Sequence, residues 1–176
     1  MNSVFIATSL DGYIADKSGS IDWLQSVPNP ESDDFGYNSF ISRIDAIVMG
    51  RVTYESVLGF QGDWPYNLPV FVLSNSLKAL PEAHFGKVQL LSGDLHHIIK
   101  EIHGQGYTRL YIDGGKTIQS FLEEDLIDEL IITTIPILLG GGFALFGPLD
   151  HRVKFTHKHC IRYSDTVVQN FYLKGQ

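Results

Sequence analysis

Two short segments combine glycine, a cation and threonine close behind an apolar, strand-like run. The first, 50-GRVT-53, follows 46-AIVM-49, and the second, 114-GGKT-117, follows 110-LYID-113. If a helix begins at each segment, its free N–H groups point at an anion, and the arginine or lysine adds charged donors. Both segments therefore predict phosphate binding. The alternative for each is a tight turn with a solvated cation.

Neither segment matches a common phosphate motif. The letters GGKT suggest a nucleoside-triphosphate loop, but that motif requires a glycine five residues before Gly115, where Leu110 stands. The dinucleotide fingerprint G-x-G-x-x-G also fails, because Leu145 stands where a third glycine would follow Gly140 and Gly142. Two glycine turns at one sheet edge still suit a dinucleotide, since ligands of open α/β sheets bind at the carboxyl ends of strands.

Acidic and aromatic side chains supply further candidates for residues that contact a substrate. Asp33 and Asp34 fall in the first turn of a predicted helix, where carboxylates favour the helix dipole whether or not they do chemistry. In a cleft, one of them would orient an amine edge of a substrate or assist proton transfer. Trp23 follows 19-GSID-22 and either covers a ligand or anchors its loop to the core.

The seven histidines raise the hypothesis of a metal site. His96 and His103 lie on the polar side of a predicted helix, as ordinary surface histidines do. His157 and His159 alternate in a predicted strand, without an acidic third ligand at a usual spacing. We therefore expect no bound metal.

The elements that must position these residues follow from hydrophobic periodicity. Short apolar runs predict buried strands at residues 4–8, 46–49, 70–73, 88–91, 110–112 and 130–136. The spacing of residues 95, 98, 99 and 102 predicts a helix capped by Asp94 and ended by Gly104. A second helix is predicted at 32–44, and shorter helices after Thr53 and Thr117, each capped by its threonine hydroxyl.

Strands that alternate with helices predict an α/β fold with a mainly parallel central sheet and helices on both faces. After Asp128 the chain offers extended stretches and no convincing helix, which predicts antiparallel strands at one edge of the sheet. The segment 140-GGGFALFG-147 is predicted to be a loop between two of these strands.

Length and composition narrow the class of protein. A chain of 176 residues predicts a single domain over 1–176. No apolar run reaches the ~18 residues of a membrane span, and no signal-peptide pattern opens the chain, so we expect a cytoplasmic protein without a membrane partner. The net charge of −7 has the wrong sign for a nucleic-acid partner, but it does not exclude a small anionic ligand.

The ordered motifs together resemble the dihydrofolate reductase fold over nearly the whole chain. They are 6-IATSLDGYIA-15, 19-GSIDW-23, 46-AIVMGRVTYES-56, 69-PVFVLSNS-76, 110-LYIDGGKTIQSFL-122 and 126-LIDELIITTIPILLGGG-142. More closely, the chain resembles the reductase domain of riboflavin biosynthesis, the C-terminal domain of bifunctional deaminase-reductases, together with its stand-alone relatives. The features that favour this branch are 9-SLDG-12, 128-DEL-130 and the loop from Pro136 to Gly142.

The resemblance implies NADPH as the cofactor and a small molecule as the substrate. The implied cofactor-binding residues are Ala7, Ile14, Gly50, Arg51, Thr53, Ser74, Asn75, Gly114, Gly115, Lys116 and Thr117. Among them, Ala7 and Ile14 would flank the nicotinamide. Ser9, Asp11 and Trp23 are expected on the substrate side. Counting back from Gly50 and Arg51 identifies Asp34 as the candidate catalytic carboxylate of folate reductases.

The resemblance therefore implies hydride transfer from NADPH to a small heterocycle or to a ribosylamino-pyrimidine of riboflavin synthesis. The chain lacks a zinc-ligating His/Cys-x-x-Cys deaminase segment, so any deamination would need a separate enzyme. Dihydrofolate reductase activity is one alternative, and a non-catalytic NADPH-binding sensor is another. Related reductases pair through their C-terminal strands, which makes a homodimer a further expectation.

Overall fold

The computed structural model describes residues 1–29, 32–60, 63–77, 79–81, 86–163 and 166–175. Its strands are β1 (Asn2–Ser9), β2 (Tyr13–Ala15), β3 (Ala46–Gly50), β4 (Val70–Leu73), β5 (Val88–Leu91), β6 (Leu110–Asp113), β7 (Glu129–Ile135), β8 (Phe143–Ala144), β9 (Phe155–Tyr163) and β10 (Val167–Lys174). Its α-helices are α1 (Tyr37–Ile41), α2 (Arg51–Leu58), α3 (Leu95–Gly104) and α4 (Gly115–Glu123), and a short 3-10 helix covers Asp22–Ser26.

The main sheet has eight strands in the order β5-β4-β3-β6-β1-β7-β10-β9. Neighbouring strands from β5 to β7 are parallel, whereas β10 runs antiparallel to β7 and β9 antiparallel to β10. The predicted α/β fold, with its parallel centre and antiparallel C-terminal edge, is therefore confirmed. The short strands β2 and β8 pair with each other outside the main sheet, where the glycine-rich segment had been predicted to be only a loop.

Helices cover both faces of the sheet because successive strand side chains point to opposite sides. On β3, Ala46 and Val48 join the core that contains α3 and α4. Ile47 and Met49 face the other way and join the core that contains residues of α1 and α2. Burial of the strand on both faces explains why its sequence is continuously apolar.

Helix α3 confirms the clearest helix prediction. The carboxylate of Asp94 accepts a hydrogen bond from the backbone N–H of His97 at 3.0 Å and so caps the helix. The side chains of Ile98, Ile99 and Ile102 are buried against the sheet. The helix includes Gly104 as its last residue.

The helix predicted at 32–44 is wrong in length, because only Tyr37–Ile41 is α-helical. Ser32, Phe35 and Gly36 have φ values of 51°, 52° and 82°, which a right-handed helix does not allow. Short acidic side chains explain these turns, since they bind nearby backbone N–H groups in place of helical carbonyls. Asp33, for example, accepts from the N–H of Phe35 at 2.7 Å.

Helices α2 and α4 begin earlier than predicted. Their N-cap residues are Gly50 and Gly114, so Thr53 and Thr117 lie inside the first turns, and no side-chain hydrogen bond caps either helix. The prediction that the threonine hydroxyls cap these helices is wrong. The N-terminal N–H groups of both helices are consequently left for other partners. Within the described part of the chain, no helix has the length and apolar character that would let it cross a membrane.

Candidate active site

The two glycine segments lie side by side at the carboxyl edge of the parallel strands. Met49 of β3 is in register with Asp113 of β6, so Gly50 and Gly114 leave the sheet as neighbours. Strand β3 continues through α2 to β4 on one side, whereas β6 continues through α4 to β7 on the other. This is a topological switch point, where open α/β sheets bind their ligands. We call 50-GRVT-53 and 114-GGKT-117 the junction end of the site.

The glycines of the junction end pack against the threonine of the opposite segment. A Cβ added at Gly50 would lie 2.7 Å from Oγ1 of Thr117, and one added at Gly114 would collide with Oγ1 of Thr53. Gly114 also has φ +91°, a conformation that disfavours other residues. The group that lies closest to the Gly50 backbone in this structure is therefore the Thr117 side chain. The two helix starts are held together by this reciprocal contact.

The charges at the junction end are accessible. Arg51 pairs with Glu55, four residues along α2, at 2.7 Å, and both side chains are more than 40% exposed. An ion pair on the surface contributes little net stabilisation, so the guanidinium can leave Glu55 and bind a phosphate instead. Lys116 is exposed in the first turn of α4. Two uncapped helix N-termini and two cations thus form a site suited to anions.

A cleft of about 1380 Å³ runs along this edge of the sheet. It is lined by every residue that the sequence predicted to contact the cofactor, namely Ala7, Ile14, Gly50, Arg51, Thr53, Ser74, Asn75, Gly114, Gly115, Lys116 and Thr117. These residues come from segments throughout the first two thirds of the chain, and the fold brings them to one continuous surface. Gly115 fits closely against this wall, because a Cβ there would lie 2.8 Å from Cδ1 of Ile14.

Sequence reasoning missed a further set of residues that line the cleft, namely Phe5, Tyr37, Tyr66, Tyr111 and Asp113. We call these residues the aromatic end. The ring centroids of Phe5 and Tyr37 lie 5.8 Å apart in an edge-to-face arrangement, and the Tyr111 hydroxyl donates to the Phe5 carbonyl at 3.0 Å. The one local pattern in the sequence that pointed to this set is the alternation of side chains on β6, which directs Tyr111 and Asp113 to the same face of the sheet.

Asp113 is the acidic group of the aromatic end. Ser3 is in register with Tyr111, so Asp113 lies alongside Phe5 on the neighbouring strand. Burial raises the pKa of Asp113 to about 6, and the opposing hydrogen bond from the Gly114 N–H lowers it by less. Near neutral pH this carboxyl exchanges between its neutral and ionised forms, which suits a proton donor.

Nearby tyrosines stay protonated. Burial, followed by the charge of Asp113, raises the pKa values of Tyr37, Tyr66 and Tyr111. Their hydroxyls are therefore neutral hydrogen-bonding groups at physiological pH.

The structure places Asp34 outside the residues that line the cleft. Its side chain is exposed, and its two carboxylate oxygens accept from the N–H groups of Gly36 and Asn38, each at 2.8 Å. These bonds hold the turn that leads into α1. The catalytic role predicted for Asp34 finds no support in this position.

Ser9 and Asp11 form a structural link and do not line the cleft. The Ser9 hydroxyl donates to Asp11 at 2.6 Å, and Asp11 accepts from the N–H groups of Leu139 and Gly140 at 3.1 and 2.8 Å. The Ser9 hydrogen bond is the main cause of the lowered pKa of Asp11. The pair ties the end of β1 to the glycine-rich loop, whose Gly142 packs against the Ala15 carbonyl.

Trp23 is also outside the residues that line the cleft. It lies half-buried in the 3-10 helix, and its buried indole N–H has no hydrogen-bond partner among the described residues. Its neighbours Ile21 and Leu24 do line the cleft. Of the two roles predicted for Trp23, this position favours the one in which the side chain anchors its loop, and not the one in which it covers a ligand.

The histidines of the described segments are distributed over helix α3, the loop before β9 and β9 itself. Among the described residues, no group of three or more histidine, cysteine or acidic side chains is arranged to hold a metal. His96 lies 3.4 Å from Glu124, and His159 stacks on Phe171 with ring centroids 4.1 Å apart.

Comparison with known proteins identifies the family. The model of the RibD C-terminal domain matches residues 3–169. The protein YwjB of Bacillus subtilis (strain 168) is 32% identical over 166 residues, which cover 93% of this chain and 92% of that protein. The crystal structure of a candidate riboflavin biosynthesis protein from Shewanella sp. PV-4 is 51% identical, with a TM-score of 0.96 and 99% coverage of both chains.

Two more distant structures share the fold alone. A deaminase/5-amino-6-(5-phosphoribosylamino)uracil reductase from Thermotoga maritima has a TM-score of 0.76 at 14% identity, with 99% of this chain covering 56% of that one. Dihydrofolate reductase from Enterococcus faecalis, complexed with NADP(H), has a TM-score of 0.67 at 16% identity, with coverage of 100% and 97%. The chain therefore has a dihydrofolate reductase-like fold and belongs to the RibD C-terminal domain family.

Proposed function

We propose that the protein is an NADPH-dependent reductase that transfers a hydride to a polarised C=N or C=O bond of a small heterocyclic or ribosylamino-pyrimidine substrate. The observation that carries this proposal is one cleft that combines an anion-binding junction end with an aromatic, acidic end. Membership of the RibD C-terminal domain family supports a riboflavin-pathway type of reduction. A sensor without catalysis would need only the junction end.

The residues of the junction end fit the phosphates of a dinucleotide. The free N–H groups at the starts of α2 and α4 would bind the pyrophosphate, with Lys116 adding charge, and Arg51 would reach both the pyrophosphate and the ribose 2′-phosphate. Ser74 and Asn75 line the same cleft after β4 and would lie by the adenosine 2′-phosphate. When bound, NADPH supplies the hydride and is oxidised to NADP⁺. Ala7 and Ile14 would form the wall beside the nicotinamide.

Asp113 would complete the reduction by donating a proton. As the substrate carbon accepts the hydride, the nitrogen or oxygen of the same double bond gains an electron pair and needs a proton. The neutral carboxyl of Asp113 would give that proton to the heteroatom and regain one from solvent. Its position beside β1 brings it close to the wall formed by Ala7. General acid catalysis by a placed carboxyl fits its raised pKa.

The test is NADPH oxidation, followed at the nicotinamide absorbance, with dihydrofolate and with the ribosylamino-pyrimidine of riboflavin synthesis. We expect oxidation with the pyrimidine. A melting temperature measured with and without NADPH accompanies the assay, since a ligand specific to the native state stabilises it. Stabilisation without turnover of either substrate would favour the sensor, and turnover of dihydrofolate alone would favour a folate reductase.

We also propose a homodimer through the C-terminal strands. Strand β9 is one edge of the sheet and is exposed along most of its length, and Ile161 of β9 and Val168 of the neighbouring β10 are 38% and 37% exposed. Long exposed edges are normally covered or blunted. Light scattering coupled to size exclusion would give twice the mass of the 19.7 kDa chain if the pairing occurs and the monomer mass if it does not.

A further inference from the structure

The turn before α1 is held in an uncommon backbone conformation. Phe35 has φ 52° and Gly36 has φ 82°, and both values lie in the left-handed region. Glycine adopts this region without strain, but phenylalanine rarely does. A residue other than glycine stays there only where its surroundings fix it, and such residues concentrate at functional sites. The next residue, Tyr37, lines the cleft, so the conformation of this turn determines how Tyr37 enters it.

The side chain of Gln169, on strand β10, holds this turn from inside the protein. It is 1% exposed, and its Nε2 donates to the Phe35 carbonyl at 3.0 Å and to Oγ1 of Thr133 at 2.8 Å. Its Oε1 accepts from the Tyr163 hydroxyl at 3.4 Å. The Tyr163 ring also packs edge to face on the Phe35 ring, with centroids 5.2 Å apart. A buried amide with both its donors and its acceptor engaged holds its partners in one geometry.

Helix α1 depends on this turn for its position. The helix has five residues, and no side-chain hydrogen bond caps it at Gly36. So short a helix is not stable on its own and takes its place from its contacts. Tyr37 and Phe40 both contact the Phe5 ring, at centroid distances of 5.8 and 4.9 Å, but only Tyr37 among the residues of α1 lines the cleft. A shift of the turn would therefore reach the cleft through Tyr37.

We propose that Gln169 is a positioning residue of the reductase, which fixes the Phe35 carbonyl and thereby places Tyr37 against the hydride acceptor. This role rests on the proposed function and adds to it a residue that lies outside the cleft lining. No bond of the reaction changes at Gln169. Its loss should therefore weaken binding of the acceptor and leave both kcat and NADPH affinity nearly unchanged.

A double-mutant cycle on the full chain tests whether Gln169 acts through Tyr37. Gln169→Met keeps the length of the side chain and removes its hydrogen bonds, and the acceptor is the ribosylamino-pyrimidine of riboflavin synthesis. We expect this change to raise the acceptor KM about ten-fold, with the dissociation constant of NADPH changed less than two-fold. In a Tyr37→Ala background it should raise the acceptor KM less than two-fold, because the group that Gln169 positions is gone.

A spectroscopic measurement needs neither turnover nor a bound ligand. Fluorine NMR of the chain labelled with 3-fluorotyrosine reports on Tyr37, whose resonance is assigned by its loss in Tyr37→Phe. Gln169→Met should shift this resonance by more than its linewidth. Tyr163→Phe keeps the ring on Phe35 and removes the hydroxyl that donates to Gln169, so it should cause a smaller shift and replaces Gln169→Met if that variant does not fold.

Ile127→Val is the control for a general loss of stability. Ile127 is 1% exposed and packs in the core on the other face of the sheet, outside the residues that line the cleft. It should lower the melting temperature and leave both the acceptor KM and the Tyr37 resonance unchanged.

Three results would overturn the role of Gln169. They are a Tyr37 resonance that stays in place in Gln169→Met and Tyr163→Phe, a rise in acceptor KM that persists in the Tyr37→Ala background, and an equal rise in Ile127→Val. Failure of the proposed function is a different result, namely no oxidation of NADPH with the acceptor. In that case the fluorine spectra still show whether Gln169 positions Tyr37.

Discussion

The two ends of the cleft recognise their ligands by different physical means. The junction end offers backbone N–H groups at the starts of α2 and α4, with two exposed cations, and it suits charge. The aromatic end offers aromatic rings, hydroxyls and one half-buried carboxyl, which are groups that contact a flat ring and its polar edges. The two ends meet at Asp113, whose carboxylate accepts a hydrogen bond from the Gly114 N–H at 2.8 Å.

The two ends are also expected to serve different steps, because the junction end would bind the dinucleotide and the aromatic end would donate the proton. Removing a group from the junction end should weaken the dinucleotide and leave the proton step intact. Removing a group from the aromatic end should do the reverse, because Asp113 is the acidic side chain among the described residues that line the cleft. The following changes test this contrast.

Asp113→Asn should have the largest effect on activity. Loss of the proton donor is expected to lower kcat/KM for the acceptor by about 100-fold or more, while the dissociation constant of NADPH changes less than two-fold. Steady-state kinetics and fluorescence titration with NADPH measure the two quantities.

Asp34→Asn is the matched control for that change. It alters an exposed carboxylate that holds the turn before α1, so we expect kcat/KM to stay within two-fold of wild type. If Asp34→Asn abolished activity and Asp113→Asn did not, the catalytic role would belong to Asp34, as the sequence alone predicted.

Gly114→Ala should disturb the contact between the two helix starts. The added Cβ would collide with Thr53, and we expect the free energy of unfolding to fall by about 1–3 kcal/mol more than in Gly106→Ala. Gly106 is a suitable control because its φ is +97°, close to the +91° of Gly114, while no atom lies within 4 Å of its added Cβ. Urea unfolding of both variants measures the difference, and equal losses would show that backbone strain alone matters.

Arg51→Ala should weaken NADPH about ten-fold and NADH by less, because only NADPH carries the additional phosphate. Glu55→Gln releases the same guanidinium from its partner and should leave NADPH binding unchanged or slightly tighter. Equal losses for the two dinucleotides in Arg51→Ala would count against Arg51 as the residue that binds the 2′-phosphate.

The pH profile should show the smallest effect within the physiological range. Asp113 acts as an acid only when protonated, and its pKa is raised to about 6, so activity is present below that pH and is lost above it. We expect kcat/KM to fall roughly five-fold between pH 6 and pH 7. The decline should be absent in the residual activity of Asp113→Asn, and its persistence there would assign the titration to another group.

The junction end could be predicted from the sequence because it is local. A strand, a glycine and a helix start are consecutive residues, and their backbone geometry alone creates the anion site. The same locality explains the correct prediction of α3, whose cap and core-facing residues lie within one segment. Two local expectations failed, however, because Thr53 and Thr117 pack across the junction on glycines and do not cap their own helices.

The aromatic end could not be predicted in this way because its residues are far apart in sequence. Phe5, Tyr37, Tyr66 and Tyr111 meet only after β1 and β6 pair and α1 packs on the sheet. A tyrosine that lines a cleft has no local pattern that separates it from a core tyrosine. The catalytic role predicted for Asp34 by counting back from Gly50 and Arg51 finds no support in its position, since neither the burial nor the direction of a carboxyl follows from position along the chain.

A crystal structure of the protein with bound NADPH tests the central claim most directly. The division of the cleft predicts that the pyrophosphate lies within hydrogen-bond distance of the first-turn N–H groups of α2 and α4. It also predicts that the nicotinamide lies beside Ala7 and Ile14, with an open space lined by Tyr37, Tyr66 and Asp113 on its far side. A dinucleotide whose phosphates lie away from both helix starts, or whose adenine fills the aromatic end, would contradict it.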